Sequence, residues 1–184
     1  MSNVSVVTTA VETRLTNHLP GHLDSVLSQT LKPEAHIVSI DYARIGCGAN
    51  ANRAIQSVDT EFFFMVADDD IMYPDCLERL MAHSEGADFV YPWCKVTGRG
   101  AWNPNSLFNR DRLRKTPYIP GNVLHRTEKF REIGGFTEGI VMEDYDYQLK
   151  LMNADGVFRC VPEILWEYRF HGQNISDGHD PKLI

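Results

Sequence analysis

The chain has 184 residues, 43% hydrophobic and 23% charged, with a net charge of −7 and a pI near 5.4. That is length enough for one domain with its own core, and no run of 18 apolar residues suggests a membrane span. So acidic a chain has no general attraction for nucleic acid or anionic lipid, and a phosphate-bearing ligand would have to be held locally, by a metal ion or a few placed basic groups.

Strand and helix patterns alternate through the first half. Residues 4–9 (VSVVTT) are a β-branched run and predict a buried strand. Leu23, Val26, Leu27 and Thr30 fall at helical spacing, and Lys32-Pro33 closes that helix. Residues 36–40 predict a second strand ending at Asp41, and 46–58 a helix behind a glycine-containing turn. Residues 61–66 (EFFFMV) are nearly all apolar and predict a central strand. A helix over 74–83 and a strand from residue 89 follow. This alternation predicts an α/β domain, a mostly parallel Rossmann-like sheet flanked by helices. Ligands of such sheets bind beyond the carboxyl ends of the strands.

The second half is less regular. Residues 98–120 are rich in Asn, Pro, Gly and Arg and read as a long loop with one helical turn, a kind of segment that is often functional. A helix over 127–133, the turn Gly134-Gly135, a helix from Glu143 and two short strands around Pro162 follow. Tyr145, Leu149 and Met152 are the expected buried stripe of the helix at Glu143. Cys47, Cys76, Cys94 and Cys160 show no CxxC pairing and read as small buried residues of a reducing compartment. The N-terminal MSNVSVVTTAVETR lacks the basic-then-apolar pattern of a secretory signal, and the expected location is the cytoplasm.

The most unusual feature is Asp68-Asp69-Asp70, directly after the apolar strand. Three adjacent carboxylates repel one another, so something must compensate them. A hard divalent cation would do so, and such cations commonly bind through one or two carboxylates plus substrate phosphates. In an extended segment Asp68 and Asp70 point to one side and Asp69 to the other. A solvated acidic turn ahead of the Pro74 helix is the plainer reading.

The stretch GCGANANRAIQSVDTEFFFMVADDDIMYPDCLERL resembles the core of family 2 glycosyltransferases, which have the GT-A fold. Gly46, Asn52, Arg53, Asp68, Asp70 and Pro74 fall on the family's turn, helix, Asp-x-Asp motif and following proline. VLHRTEKFREIGGF followed by EDYDYQLKL resembles the family's acceptor-side segment and its Glu-Asp motif, and YRFHGQNIS its terminal His motif. After the first strand the chain has Thr9 and Glu12 where many members carry Pro and Asn.

The resemblance implies a single GT-A domain over 1–184, with a nucleotide-sugar part over about 1–97 and an acceptor and catalytic part over about 98–184. It implies a metal-dependent inverting transferase that moves a sugar from a nucleotide-diphosphate sugar to an acceptor hydroxyl of a glycan, lipid, protein or small molecule. Asp68, Asp70 and His171 are the implied ligands of Mn²⁺ or Mg²⁺, with Asp70 the foremost. Asp144 is the implied general base, with Glu143 beside it to hold it or to meet the acceptor. Thr9, Glu12, Asp41, Arg53, Asp68 and Asp69 are the implied donor-binding residues. Two plainer readings stand for the Glu143 helix and for Arg53: acidic residues suit a helix N-terminus, and an arginine suits a helix surface. The basic run Arg110, Arg112, Arg114 and Lys115 reads as solvated charge or as a lid over the diphosphate, and Trp93 and Trp102 as core or as a sugar platform. Two other classes share these features. Asp68-x-Asp70 is also the nucleophile motif of haloacid-dehalogenase-like phosphatases, although there it sits on the first strand. A non-catalytic nucleotide-sugar or glycan-binding module is the other.

Overall fold

The computed structural model describes residues 2–98, 106–171 and 174. Seven strands form one sheet in the order β2-β1-β3-β6-β5-β7-β4. β1 (Val4–Ala10) pairs in parallel with β2 (Ala35–Ile40) and with β3 (Phe62–Ala67), as the alternating first half predicts. The linking helices are α1 (Leu19–Leu27) and α2 (Cys47–Ile55).

β6 (Val123–Arg126) then joins β3 antiparallel, with Met65 opposite Val123. Sequence reading does not find β6. Its four residues run straight into helix α5 (Thr127–Glu132), and VLHR is too short to show a period. The sheet continues through β5 (Phe89–Gly98), β7 (Phe158–Phe170) and the two-residue β4 (Ile71–Met72). β7 is one long strand rather than two. It lies parallel to β5 with register shifts at Pro92, Trp93 and Cys94, and Pro162 falls at the shift, where no ladder N–H is required of it. The remaining helices are α3 (Cys76–Met81), the single turn α4 (Arg110–Leu113) and α6 (Glu143–Asn153). No helix among the described residues is long and apolar enough to cross a membrane.

The period-2 alternation of β3 divides the core. Phe62, Phe64 and Val66 face a layer with Val26, Leu77 and Leu80 of α1 and α3. Phe63 faces the other layer, with Ala51, Ile55, Phe130, Tyr147 and Leu151 of α2, α5 and α6. Buried on both faces, β3 is the central strand its composition predicts. On α6 the buried residues are Tyr147, Gln148, Leu151 and Met152, whereas Tyr145 and Leu149 are half-buried. Asp144 stands three and four residues before Tyr147 and Gln148, so it shares their sheet-facing side.

This topology delivers the chemistry to one edge. The carboxyl ends of β1, β2 and β3 lie together because these strands are parallel. The entry to β6 lies there too, because β6 runs the other way. β7, parallel to β5 and antiparallel to β4, brings Arg169 and His171 up beside the turn between β3 and β4.

Candidate active site

The aspartate triplet is a turn rather than an extended segment, so the expected convergence of Asp68 and Asp70 does not occur. Asp68 and Asp69 converge instead on Arg14, which closes a 3-10 turn (Glu12–Arg14) just after β1. Arg14 Nε stands 3.1 Å from Asp68 Oδ1, and Arg14 Nη1 donates to Asp69 Oδ2. All three side chains are almost fully buried. Asp68 Oδ2 also accepts from Val11 N at 3.2 Å, which pins the 3-10 turn to the end of β3. Burial pushes the Asp68 carboxyl up to about 6, with Asp69 adding to the rise and Arg14 opposing it.

Asp70 turns into the protein and is 2% exposed. Its Oδ2 accepts from Asn122 Nδ2 and its Oδ1 from Arg169 N at 3.1 Å. Burial, then repulsion from Asp69, raises its pKa well above the usual carboxylate value, against the pull of those donors. Behind it His22 Nδ1 donates to the Asp70 carbonyl, and Thr8 Oγ1 joins the His22 and His36 rings at 2.8 Å each. Donation by Nδ1 leaves His22 Nε2 as an acceptor, so the Thr8 hydroxyl donates to it and accepts from His36. Asp70 is thus a buried anchor. A phosphatase reading requires Asp68 and Asp70 to face one substrate, and this arrangement removes it.

Asp69, 4% exposed, turns instead toward the residues that follow β7. Its Oδ2 lies 3.1 Å from His171 Nε2 and 3.4 Å from Asn174 Nδ2. Asn174 also accepts from His171 N and donates to the Arg169 carbonyl, closing the chain end around the carboxylate. Arg169 donates through Nε to the Asp69 carbonyl. The His171 ring stacks on His18 with centroids 4.0 Å apart. Among the described residues, no three His, Cys, Asp or Glu side chains group into a set that could hold an ion unaided.

Across the edge, α6 begins at Glu143 and Asp144, after Met142 in the left-handed region with φ 63°. Two adjacent loop residues, Gly121 and Asn122, link the two carboxylate groups. Asn122 holds Asp70, and a Cβ on Gly121 would lie 3.0 Å from Asp144 Oδ2. Burial raises the Asp144 pKa, opposed by the N–H of Tyr145, which its Oδ1 accepts at 2.8 Å. Burial, then the charge of Asp144, pushes Glu143 up to about 6.

The start of α2 packs against this corner, since a Cβ on Gly48 would meet the Thr137 carbonyl at 2.9 Å and Glu143 Cβ at 3.3 Å. Asn52 fixes the neighbouring turn by exchanging two hydrogen bonds with the Phe136 backbone, at 2.9 and 3.0 Å. The thiol of Cys47 feels Glu143, Arg14, Asp41 and Asp144 together, so all four lie within electrostatic reach of one point.

The remaining expected donor residues are placed less directly. Thr9 is half-buried at the end of β1, where its carbonyl accepts from Asp68 N, and Glu12 is exposed on the 3-10 turn. Asp41 accepts from Ile45 N and Gly46 N, both at 2.9 Å, and so shapes the loop before α2. Arg53 donates to the Ile40 carbonyl at the end of β2, to Ser39 Oγ and to Asn50 Oδ1. In the basic run, Arg110 reaches the Met152 carbonyl and Asp155, Arg112 covers the Tyr118 ring, and Arg114 pairs with Asp111. Trp93 is half-buried on β5, and Trp102 lies outside the described residues.

Arg14 and Arg169 are the site residues that sequence reading misses. A signal for Arg14 exists, because it is the only Lys or Arg before Lys32 and follows a strand whose parallel register sets Thr9 beside Ala67.

Several comparisons bear on this edge. The chain is similar in structure to S. aureus TarS 1–349 in complex with UDP-GlcNAc, with a TM-score of 0.79 at 15% identity over 96% of this chain. It spans 61% of that chain's length. It is similar to the UDP complex of TarS 1–349, with a TM-score of 0.69 at 16% identity, over 92% of this chain and 61% of that one. S. aureus TarS matches with a TM-score of 0.70 at 15% identity, over 92% of this chain and 37% of that one. These likenesses carry the GT-A fold. No curated protein sequence matches the chain significantly. The family model for glycosyl transferase family 2 matches residues 22–142, a span that holds the aspartate triplet and ends just before Glu143. With that match over more than half its length, the chain belongs to glycosyl transferase family 2.

Proposed function

We propose that this protein transfers a sugar from a nucleotide-diphosphate sugar to an acceptor hydroxyl, with a divalent cation held at Asp69 and His171 and with Asp144 as general base. The observation that carries the reading is the Gly121-Asn122 link, two adjacent residues of which one holds Asp70 of the aspartate turn and the other packs against Asp144. UDP-GlcNAc in the similar TarS structure makes a uridine diphosphate sugar the donor class to try first.

The donor set fits a hard cation. Asp69 Oδ2 and His171 Nε2, a carboxylate oxygen and an imidazole nitrogen of the kinds that would hold such an ion, stand 3.1 Å apart. Two protein ligands leave room for phosphate oxygens, the usual arrangement for Mg²⁺ and Mn²⁺. When bound, such an ion would neutralise the charge that grows on the departing nucleoside diphosphate. Asp68 stays behind Asp69 as a partner of Arg14, and Asp70 braces the turn.

Asp144 accepts the proton of the acceptor hydroxyl as that oxygen attacks the anomeric carbon from the side opposite the leaving group, inverting its configuration. Burial raises its pKa above that of an exposed aspartate, which makes its carboxylate the stronger base. Glu143 borders the acceptor side, and the division near residue 97 separates donor-binding from acceptor-binding chain.

Melting curves with UDP and UDP-GlcNAc, each with and without Mn²⁺, test the donor assignment. Near saturation we expect a rise of about 5–10 °C that requires the ion. The same rise is expected in Asp144→Asn, whose UDP release from UDP-GlcNAc falls about a hundredfold or more. No shift with a folded protein contradicts the donor class, and full turnover in Asp144→Asn reduces Asp144 to a helix-terminal carboxylate.

A further inference from the structure

We propose that Arg14 is a built-in counter-ion, which occupies the cation's place on Asp69 while the site is empty and gives it up when the ion binds. The inference rests on the reading of Asp69 and His171 as the ion's ligands.

Three observations carry it. Arg14 Nη1 donates to Asp69 Oδ2, the same oxygen that faces His171 Nε2 at 3.1 Å. The guanidinium is therefore on the atom that the ion needs. Secondly, Arg14 is 4% exposed and is paired with two aspartates that are themselves almost fully buried, so it carries the compensation that the triplet requires. Thirdly, the pairing is incomplete. Arg14 Nε and Asp68 Oδ1 stand 3.1 Å apart but off line for a hydrogen bond, and both are buried without one among the described residues. Buried polar atoms are rarely left so.

An arginine cannot escape a neighbouring cation by losing its proton. An ion arriving on Asp69 Oδ2 must therefore move the guanidinium away. The Val11 N–H, which donates to Asp68 Oδ2 at 3.2 Å, is a backbone tie of the 3-10 turn that does not depend on the Arg14 side chain. A donor diphosphate bound beside the ion would offer the released guanidinium a new partner, which an arginine fork suits. The same residue then opposes binding of the ion alone and favours binding of the ion with a diphosphate.

The test is Mn²⁺ titration of the whole protein, read from the paramagnetic resonance signal of free Mn²⁺, with and without inorganic pyrophosphate. Arg14→Gln should bind Mn²⁺ alone about tenfold or more tightly than wild type, since a charge at this distance shifts ionic equilibria by one to three orders of magnitude. With pyrophosphate the order should reverse. If Arg14→Gln does not fold without the ion, Arg14→Lys carries the test. A lysine cannot span both carboxylates, so it should bind Mn²⁺ alone several-fold more tightly than wild type. Equal or weaker Mn²⁺ binding by the variants overturns the counter-ion role while leaving the metal site standing. No binding by wild type, even with pyrophosphate, removes the metal site and this inference with it.

Discussion

Gly121 is the residue on which the position of Asp144 depends most closely. A methyl group there would sit 3.0 Å from Asp144 Oδ2 and 3.5 Å from its Cβ, so the carboxylate must give way. The backbone at Gly121 is not in the left-handed region, so Gly121→Ala tests the contact rather than backbone strain. We expect turnover to fall about ten- to a hundredfold, as small misplacements of a catalytic group do, with UDP binding unchanged. Unchanged turnover would mean that Asp144 does not need this wall. At this scale the sequence announces the charges better than their partners. Three adjacent aspartates declare that something must compensate them. That Asp70 goes to Asn122, and Asp69 to His171, depends on a turn that the period-2 rule for strands does not describe. For the same reason the ties of Asp41 and Arg53 to loop and strand ends are not legible in the sequence.

Among the elements, β6 matters most to the core because it places His125 in the aromatic layer under α6. The imidazole stacks on Phe63 at 4.8 Å and meets Phe89 and Tyr147 edge-on at 5.1 Å each. Neither ring nitrogen has a hydrogen-bond partner among the described residues. Burial lowers its pKa to about 3. Between pH 6.5 and 3 the unfolded chain binds a proton at this residue that the folded chain refuses, so stability falls as the pH drops through that window. His22, lowered to about 4 by burial, acts in the same direction, and Asp68, raised to about 6, acts in the opposite one. Both are shared by His125→Phe, so comparison with wild type isolates the one ring. The variant should gain about 2 kcal/mol over wild type on going from pH 8 to pH 5. Denaturant unfolding at the two pH values measures this, and a pH-independent difference would show that the ring takes up no proton on unfolding. Helices and apolar strands of the first half are legible because each shows a full period. β6 is not, because four residues show none.

For the molecule as a whole, the sheet is a device for bringing distant residues to one edge. Parallel β1, β2 and β3 supply the 3-10 turn with Arg14, the loop at Asp41 and the aspartate turn. Antiparallel β6 brings Asn122 back to meet them, and β7 brings His171 to Asp69, 102 residues away in the chain. The α/β class is legible in the alternation of elements, and the GT-A fold is implied by the resemblance that the ordered motifs carry, but which aspartate meets His171 is a property of the assembled edge. Asn52→Ala tests how far that assembly depends on single ties. It loses both hydrogen bonds to Phe136 and should cost about 1–3 kcal/mol in denaturant unfolding. No measurable loss would show that core packing alone holds α2 to the turn before α6.

The most direct measurement of the central claim is the position of manganese in crystals grown with Mn²⁺ and UDP, found by its anomalous scattering. The account predicts one strong peak about 2.1 Å from Asp69 Oδ2 and His171 Nε2, with Arg14 turned off Asp69 and Asp144 not bound to the ion. A peak on Asp68 and Asp70, or UDP bound with no manganese beside it, would contradict it.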